Sequence, residues 1–438
     1  MSSTEKHLTF ARKDTRIDQC LSTHLTSRYS QLGEMDDLDE AIVLNQEALA
    51  LHPQGHPERS FSLRNLAVDL FSRYERLGTI EDLNDAIAFD REALALRPQG
   101  DPERSTSLGN LAVSLFSRYV QLGAIDDLNE AIALNQEALA LHPLGHPSRS
   151  MSLNNLSATL SSRYGQFGSI EDLNDTIVLS QGALDLSPQG HPDRSMFLNN
   201  LAADLYSRYD QLGAIEDLND AVVLTREALD LCPQGHPDRS LSLSNLARYL
   251  SSRGEQLGAI EDIEEAIVLN REALDLRPQG HLDRSMSLNN LALHLSIRHN
   301  QLGESRDLDQ AIVLAREALD LRPKGHLHRS MSLNNLSFCL SSRYMQFGAT
   351  QDLDDAIVLE REALDLRPDR HPDRLTSLNS LAAYLFGRYE RLGELQDLDQ
   401  AILLGQDALA LCPPDHRNRS QTSDNLGRYV RLHEARGS

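Results

Sequence analysis

Arg149–Leu156 reads RSMSLNNL, and the same eight letters return unchanged at Arg284–Leu291 and Arg329–Leu336. The flanking pattern LNNLxxxLSxR has helical spacing, yet it carries two adjacent asparagines. Asn is a poor helix-interior residue, because its amide competes for nearby backbone hydrogen bonds. Why the chain repeats that pair decides whether these helices are only structural or also present a binding face.

Moving outward, the pair belongs to a unit of fixed length. Nine arginines from Arg59 to Arg419 are each 45 residues apart, and so are nine glycines from Gly33 to Gly393. A constant period in this range marks a repeat architecture. Within a repeat the apolar positions define two helices. Leu63, Leu66, Ala67, Leu70, Tyr74 and Leu77 follow an i, i+3, i+4, i+7 progression and define helix A. Its central Leu recurs in all ten copies, Leu21 to Leu426. Helix A is expected to open at Pro57, where a missing N–H costs nothing, and to close at Gly78, a natural left-handed terminator. Helix B is expected to start at a capping Asp82, with Asp85 completing a capping box. Leu83, Ala86, Ile87, Ala93 and Leu94 form its inward stripe, and Pro98 stops it. Two helices per repeat with no strand signal exclude a propeller.

Composition narrows the function classes. Apolar residues make up 40% of the 438-residue chain, enough for a packed core. There is no Trp, and aromatics are only 5%, which disfavours base-stacking platforms. A formal charge of −23 argues against nucleic acid and anionic lipid as partners. The start, MSSTEKHLTFARKD, lacks the apolar core of a secretory signal. No run approaches the roughly 18 apolar residues of a membrane span. Cys20, Cys232, Cys339 and Cys412 have neither CxxC nor zinc-finger spacing. Free thiols in a reducing, cytoplasmic setting fit best.

The small–small–Pro spacing of Ala86, Ala93 and Pro98, together with Leu66-Ala67-x-x-Leu70, resembles the tetratricopeptide repeat (TPR). The NLA…L…G…DL..AI….EAL.L.P flavour is similar to the kinesin-light-chain type and to fungal arrays that accompany CHAT protease or NTPase modules. The usual unit is about 34 residues, so this one is longer, by extensions of helix A, the A–B corner and the connector. The resemblance implies an all-α, right-handed TPR-like α-solenoid of nine antiparallel helix pairs plus a C-terminal capping helix. The expected boundaries are a flexible segment 1–13, one solenoid over 14–435 with Gly33 to Gly393 at the A–B corners, and a flexible 436–438. No CHAT-like or NTPase segment accompanies it.

No HExxH, GxxxxGK[ST] or GxSxG motif is present, and isolated Ser, His and Asp residues follow the period rather than one unique site. The chain therefore reads as a non-enzyme without cofactor or metal. The Arg column from Arg28 to Arg388 is expected to pair helix A with helix B through acids such as Asp82 or Glu92. The adjacent Tyr column, interrupted by Gly254 and His299, is expected in the core. The connector His column, including His56, His146, His191 and His236, is expected to cap rather than bind metal.

In the TPR family the position one before the core Leu faces the concave groove and often holds a peptide backbone. Here it is occupied by Asn65, Asn110, Asn155, Asn200, Asn245, Asn290 and Asn335, with Asn425 at the end. One helical turn earlier lie Met151, Met196, Met286 and Met331, whose soft side chains suit varied partners. Three fates stay open for the Asn column: gripping a ligand, bridging neighbouring repeats, or idle solvation. The Met column is either part of that face or packing against the preceding helix B. The function expected is a non-catalytic scaffold that binds a protein or peptide of unknown identity in the groove, with no nucleic acid and no membrane. The alternatives are a regulatory array detached from a CHAT protease or NTPase module, and a self-assembling structural protein; no sequence feature argues for homo-oligomers.

Overall fold

The computed structural model describes residues 21–29 and 34–437, apart from 282, 327, 368, 370, 372, 413 and 415–417. The segment 1–13, Cys20, Gly33, His416 and Ser438 therefore lie outside the described residues. All regular structure among the described residues is helical. Backbone contacts divide the chain into two compact units, 1–160 and 161–438.

The first unit holds α1 (21–29), α2 (Met35–Leu51), α3 (Arg59–Leu77), α4 (Ile80–Ala95), α5 (Arg104–Leu122), α6 (Ile125–Ala140) and most of α7 (Arg149–Phe167). The second continues with α8 (Ile170–Asp185), α9 (Arg194–Leu212), α10 (Ile215–Asp230), α11 (Arg239–Leu257), α12 (Ile260–Asp275) and α13 (Arg284–Leu302). It ends with α14 (Ser305–Asp320), α15 (Arg329–Phe347), α16 (Thr350–Asp365), α17 (Arg374–Leu392), α18 (Leu395–Leu411) and α19 (Arg419–Gly437). Odd numbers are A helices and even numbers B helices, so the all-α TPR-like solenoid expected from the repeat is the fold observed. α19 runs into the stretch assigned to a C-terminal tail.

Small residues let the helices of a repeat approach. Ala86 is fully buried and Ala93 is 1% exposed, and Leu63, Leu66 and Leu83 are buried as well. In the first unit Leu38, Ile42, Leu66, Ala67, Leu70 and Ala86 form one apolar cluster. In the second a continuous cluster runs from Ile263 through Leu308, Leu340 and Leu385 to Tyr429. Each such Leu contributes about 1.5–3 kcal/mol by leaving water. The Tyr column is half-buried to buried, with Tyr209 and Tyr389 both 4% exposed. Gly254 interrupts it for a steric reason. A Cβ there would lie 2.6 Å from Cγ1 of Ile263, which stands where the other repeats have Leu, and 2.7 Å from the Ala259 carbonyl oxygen.

Both expected helix starts need correction. α3 begins at Arg59, not Pro57. The intervening residues form a turn that Pro57 initiates, and Nδ1 of His56 accepts the Glu58 N–H at 3.2 Å. The same His-to-backbone contact recurs at His146, His191, His236, His281, His326 and His371. Asp101 makes it where His is replaced, so this column caps turns. The helix A terminator is as expected: Gly78 has φ of 72° and its N–H donates to the Tyr74 carbonyl at 2.7 Å.

Asp82 is not a helix cap. α4 starts at Ile80 after Thr79, which leaves Asp82 inside the first turn. Its carboxylate receives Nε and Nη2 of Arg73 at 2.8 and 2.7 Å. A bidentate charged pair is stronger than a single capping bond, and the acid still complements the positive end of the helix dipole. The pair recurs from Arg28–Asp37 through Arg208–Asp217 to Arg388–Asp397. The second Arg column works across repeats. Nη1 of Arg59 donates to the His52 carbonyl of the preceding connector at 2.7 Å, while its Nε donates to Glu92 of its own helix B at 2.7 Å.

Candidate peptide-binding face

The two adjacent asparagines have different jobs. On a helix, successive residues point about 100° apart, so one enters the seam between A helices while the next faces outward. Asn199 is 3% exposed, and its Nδ2 donates to the Ser195 carbonyl at 3.0 Å and to Oγ of Ser242, on the next A helix, at 2.9 Å. Asn289 repeats this to Ser332 at 2.8 Å, and Asn379 to Thr422 at 3.3 Å. Asn334 instead meets Glu360 at 3.0 and 3.1 Å. The first Asn thus bridges repeats, a role the sequence reading considered only for the second.

The second Asn is half-buried from Asn65 to Asn335 and exposed at Asn425. Within the described residues, the side chains of Asn65, Asn110, Asn155, Asn245, Asn290 and Asn335 make no hydrogen bond, whereas Asn200 has a partner. Met151, Met196, Met286 and Met331 are also half-buried and lie one turn before Asn155, Asn200, Asn290 and Asn335, on the same helix face.

In the first unit several candidate residues converge on a cavity. A half-open hollow of about 210 Å³ is lined by Gly109, Asn110, Asn135, Met151, Ser152 and Asn155, among others. It sits where Gly109 replaces the bridging Asn. Asn135 Nδ2 donates to the Asn155 carbonyl at 3.3 Å, and Nδ1 of His142 lies 2.7 Å from Ser152 Oγ. Burial and then the neighbouring His146 hold the His142 imidazole below its usual range, which favours a neutral ring. The remaining candidates each stand on their own A helix.

One group on this face was missed. The exposed Arg248, three residues after Asn245, stacks 4.7 Å over the ring of Tyr206 from the preceding A helix and 5.1 Å over Tyr249. The signal was available: Val68, Val113, Ala158 and Ala203 hold the equivalent positions, so Arg248 departs from the column. Among the described residues, no three His, Cys, Asp or Glu side chains are grouped to hold a metal ion. No described helix is long and apolar enough to cross a membrane. Cys232, Cys339 and Cys412 are buried free thiols.

A tetratricopeptide-repeat family model matches residues 196–238 and 240–283, one segment per repeat. Those two segments are tetratricopeptide repeats. Human IFIT1, solved as a dimer with PPP-AAAA, is 15% identical, with 98% of this chain and 86% of that one covered and a TM-score of 0.53, a likeness of fold alone. The nearly identical TPR-like repeats of a Podosopora anserina protein described as a kinesin light chain are 20% identical over 50% of this chain and 98% of that one, with a TM-score of 0.38. BtubC from P. vanneervenii is 16% identical over 58% of this chain and 91% of that one, with a TM-score of 0.34. No curated protein matches the TPR array. TPR arrays in general are protein-interaction scaffolds, and their fold ordinarily carries binding rather than catalysis.

Proposed function

We propose that this TPR array binds an extended peptide segment of a partner protein along its A helices, gripping the peptide backbone with the outward asparagines. The observation that carries the reading is that, within the described residues, the side chains of six of these asparagines make no hydrogen bond, whereas Asn199 and Asn289, at the preceding position, bridge to the next A helix. A carboxamide offers two donors and an acceptor, so a ladder of them satisfies a peptide backbone whatever its side chains. The half-buried methionines add an adaptable apolar rail. The charge of −23 favours a protein over nucleic acid as the ligand.

The test is a display selection of random extended peptides on the wild type, followed by two scans of a selected peptide. N-methylation of successive backbone amides is expected to weaken capture by about tenfold or more at alternating positions, the worth of a lost hydrogen bond in a desolvated groove. Alanine substitution is expected to cost less at most positions. A peptide indifferent to N-methylation but dependent on its side chains would contradict the ladder.

A further inference from the structure

The residue just before each connector proline is buried in every described repeat, and at Arg97, Arg277, Arg322 and Arg367 it is a guanidinium. A buried cation is costly unless an anion answers it. Arg97 has Asp101 at 3.2 Å, and Arg367 has Asp373 at 3.8 Å. Arg322 is the most enclosed of the four, 1% exposed. Its Nε donates to Ser285 Oγ at 2.8 Å, and its Nη1 to the His328 carbonyl at 2.9 Å and Ser332 Oγ at 3.1 Å. Among the described residues it forms no ion pair, and its Nη2 makes no hydrogen bond. Burial lowers its pKa to about 10, opposed only by Asp283 of the preceding connector, which stands beyond ion-pair distance. Arg277 also lacks an ion pair, but Asp283 lies in its own connector and favours its charge.

The connector that follows Arg322 departs from its neighbours in the same direction. The residue preceding the A helix is a carboxylate at Glu58, Glu103, Asp193, Asp238, Asp283 and Asp373, which suits the positive end of a helix dipole. Before α15 it is His328. Lys324 replaces the Gln of five other connectors and is the only lysine after residue 13. Nδ1 of His326 accepts the His328 N–H at 3.1 Å, and the two rings are 6.0 Å apart. Burial, then the nearby Arg322, hold both imidazoles below their usual range, so at neutral pH they are uncharged N–H donors. Arg329, the remaining cation, is taken by Glu362 at 2.8 Å.

We propose that Arg322, Lys324, His326 and His328 form a phosphate-binding site at the N-terminus of α15. A phosphate group is the ligand because a guanidinium without an ion pair, a lysine and two imidazoles share one connector at a helix N-terminus, a set that suits a dianion with several acceptor oxygens. The group comes either as free phosphate or as the phosphate of a phosphoserine side chain; the chemistry recognised is shared. This site is separate from the asparagine ladder and does not depend on it.

Reductive methylation with carbon-13 formaldehyde labels the lysines while keeping their charge, with Lys6 and Lys13 as internal controls. Inorganic phosphate, a phosphoserine peptide and its unphosphorylated twin are titrated at pH 7 and constant ionic strength. The Lys324 methyl signal is expected to move to saturation with phosphate, the phosphoserine peptide or both, and not with chloride or the unphosphorylated peptide; the arm that responds identifies the source. His328→Asp restores the carboxylate carried by neighbouring connectors, so it is expected to fold and melt higher in phosphate-free buffer. Its phosphate affinity should fall by about tenfold or more, the worth of a charge-assisted contact. Lys324→Gln, also a neighbour's residue, is read by the loss of phosphate-induced thermal stabilisation. No saturable response in the wild type to either phosphate source, or an equal response in His328→Asp, would overturn the site.

Discussion

Asp90 is 3% exposed in α4, and its carboxylate accepts a hydrogen bond from Ser114 Oγ at 3.1 Å. Burial pushes its pKa up to about 7, and that of Asp69, held by Thr26 and Asn45, to about 6. Both exceed the unfolded value near 4, so the folded chain holds these protons more tightly. Their contribution to stability is complete below that value and is lost as pH rises through about 6 and 7. Urea melts should therefore show the first unit weakening between mildly acidic and neutral pH. Asp90→Asn should flatten the upper part of that slope, because Asn already occupies the equivalent position at Asn45, Asn135 and Asn270. A slope of opposite sign would mean these carboxylates are ionised and paired. Such buried acids were not legible in the sequence: Asp90 sits in a column that also holds Asn, Ser, Thr, Ala, Glu and Gly, and helical spacing alone cannot place so mixed a column inside. Nor did it separate Asn289 from Asn290, since a one-residue shift in helix phase exchanges seam for open face.

At the scale of the element, the helices were readable because their punctuation is chemical. Gly78 and Pro98 fixed the ends, and Leu66 and Ala86 fixed the buried stripes. Starts were less legible: α4 begins two residues before the Asp expected to cap it, and an Asp in a first turn looks the same in sequence as an Asp at a cap. The distinction is measurable at Asp217. Asn caps a helix as well as Asp does, so a capping Asp217 would tolerate Asn. Because Arg208 Nε and Nη2 both reach Asp217 at 2.7 Å, Asp217→Asn is expected instead to cost about 1.5–3 kcal/mol, the worth of charged hydrogen bonds. A chemical-denaturation series that found Asp217→Asn neutral and Asp217→Ala destabilising would restore the cap.

For the whole molecule, the 45-residue period implies that each repeat is stabilised by its neighbours. Removing residues 239–283 joins Asp238 to Arg284, the same junction that Asp283 makes now. The product should stay helical with a modestly lower melting temperature, since Thr225 would meet His294 in place of Tyr249. Removing 239–259 deletes an A helix and its corner, brings two B helices into succession and should abolish cooperative melting. Equal damage from both deletions would contradict nearest-neighbour stacking. Fold and period were thus legible at this scale, whereas the partner was not: a face that reads a peptide backbone, as proposed, would carry no imprint of its ligand's side chains.

The most direct test of the division of labour between adjacent asparagines compares two double variants, each assayed by thermal melting and by capture of a display-selected peptide. Asn199→Ala with Asn289→Ala should destabilise the protein by about 1 kcal/mol per lost bridge. Asn245→Ala with Asn290→Ala should hold or raise stability, by up to ~0.5 kcal/mol per site from helix propensity, while peptide capture collapses. A protein destabilised by Asn245→Ala and Asn290→Ala that still captures the same peptide would contradict the account.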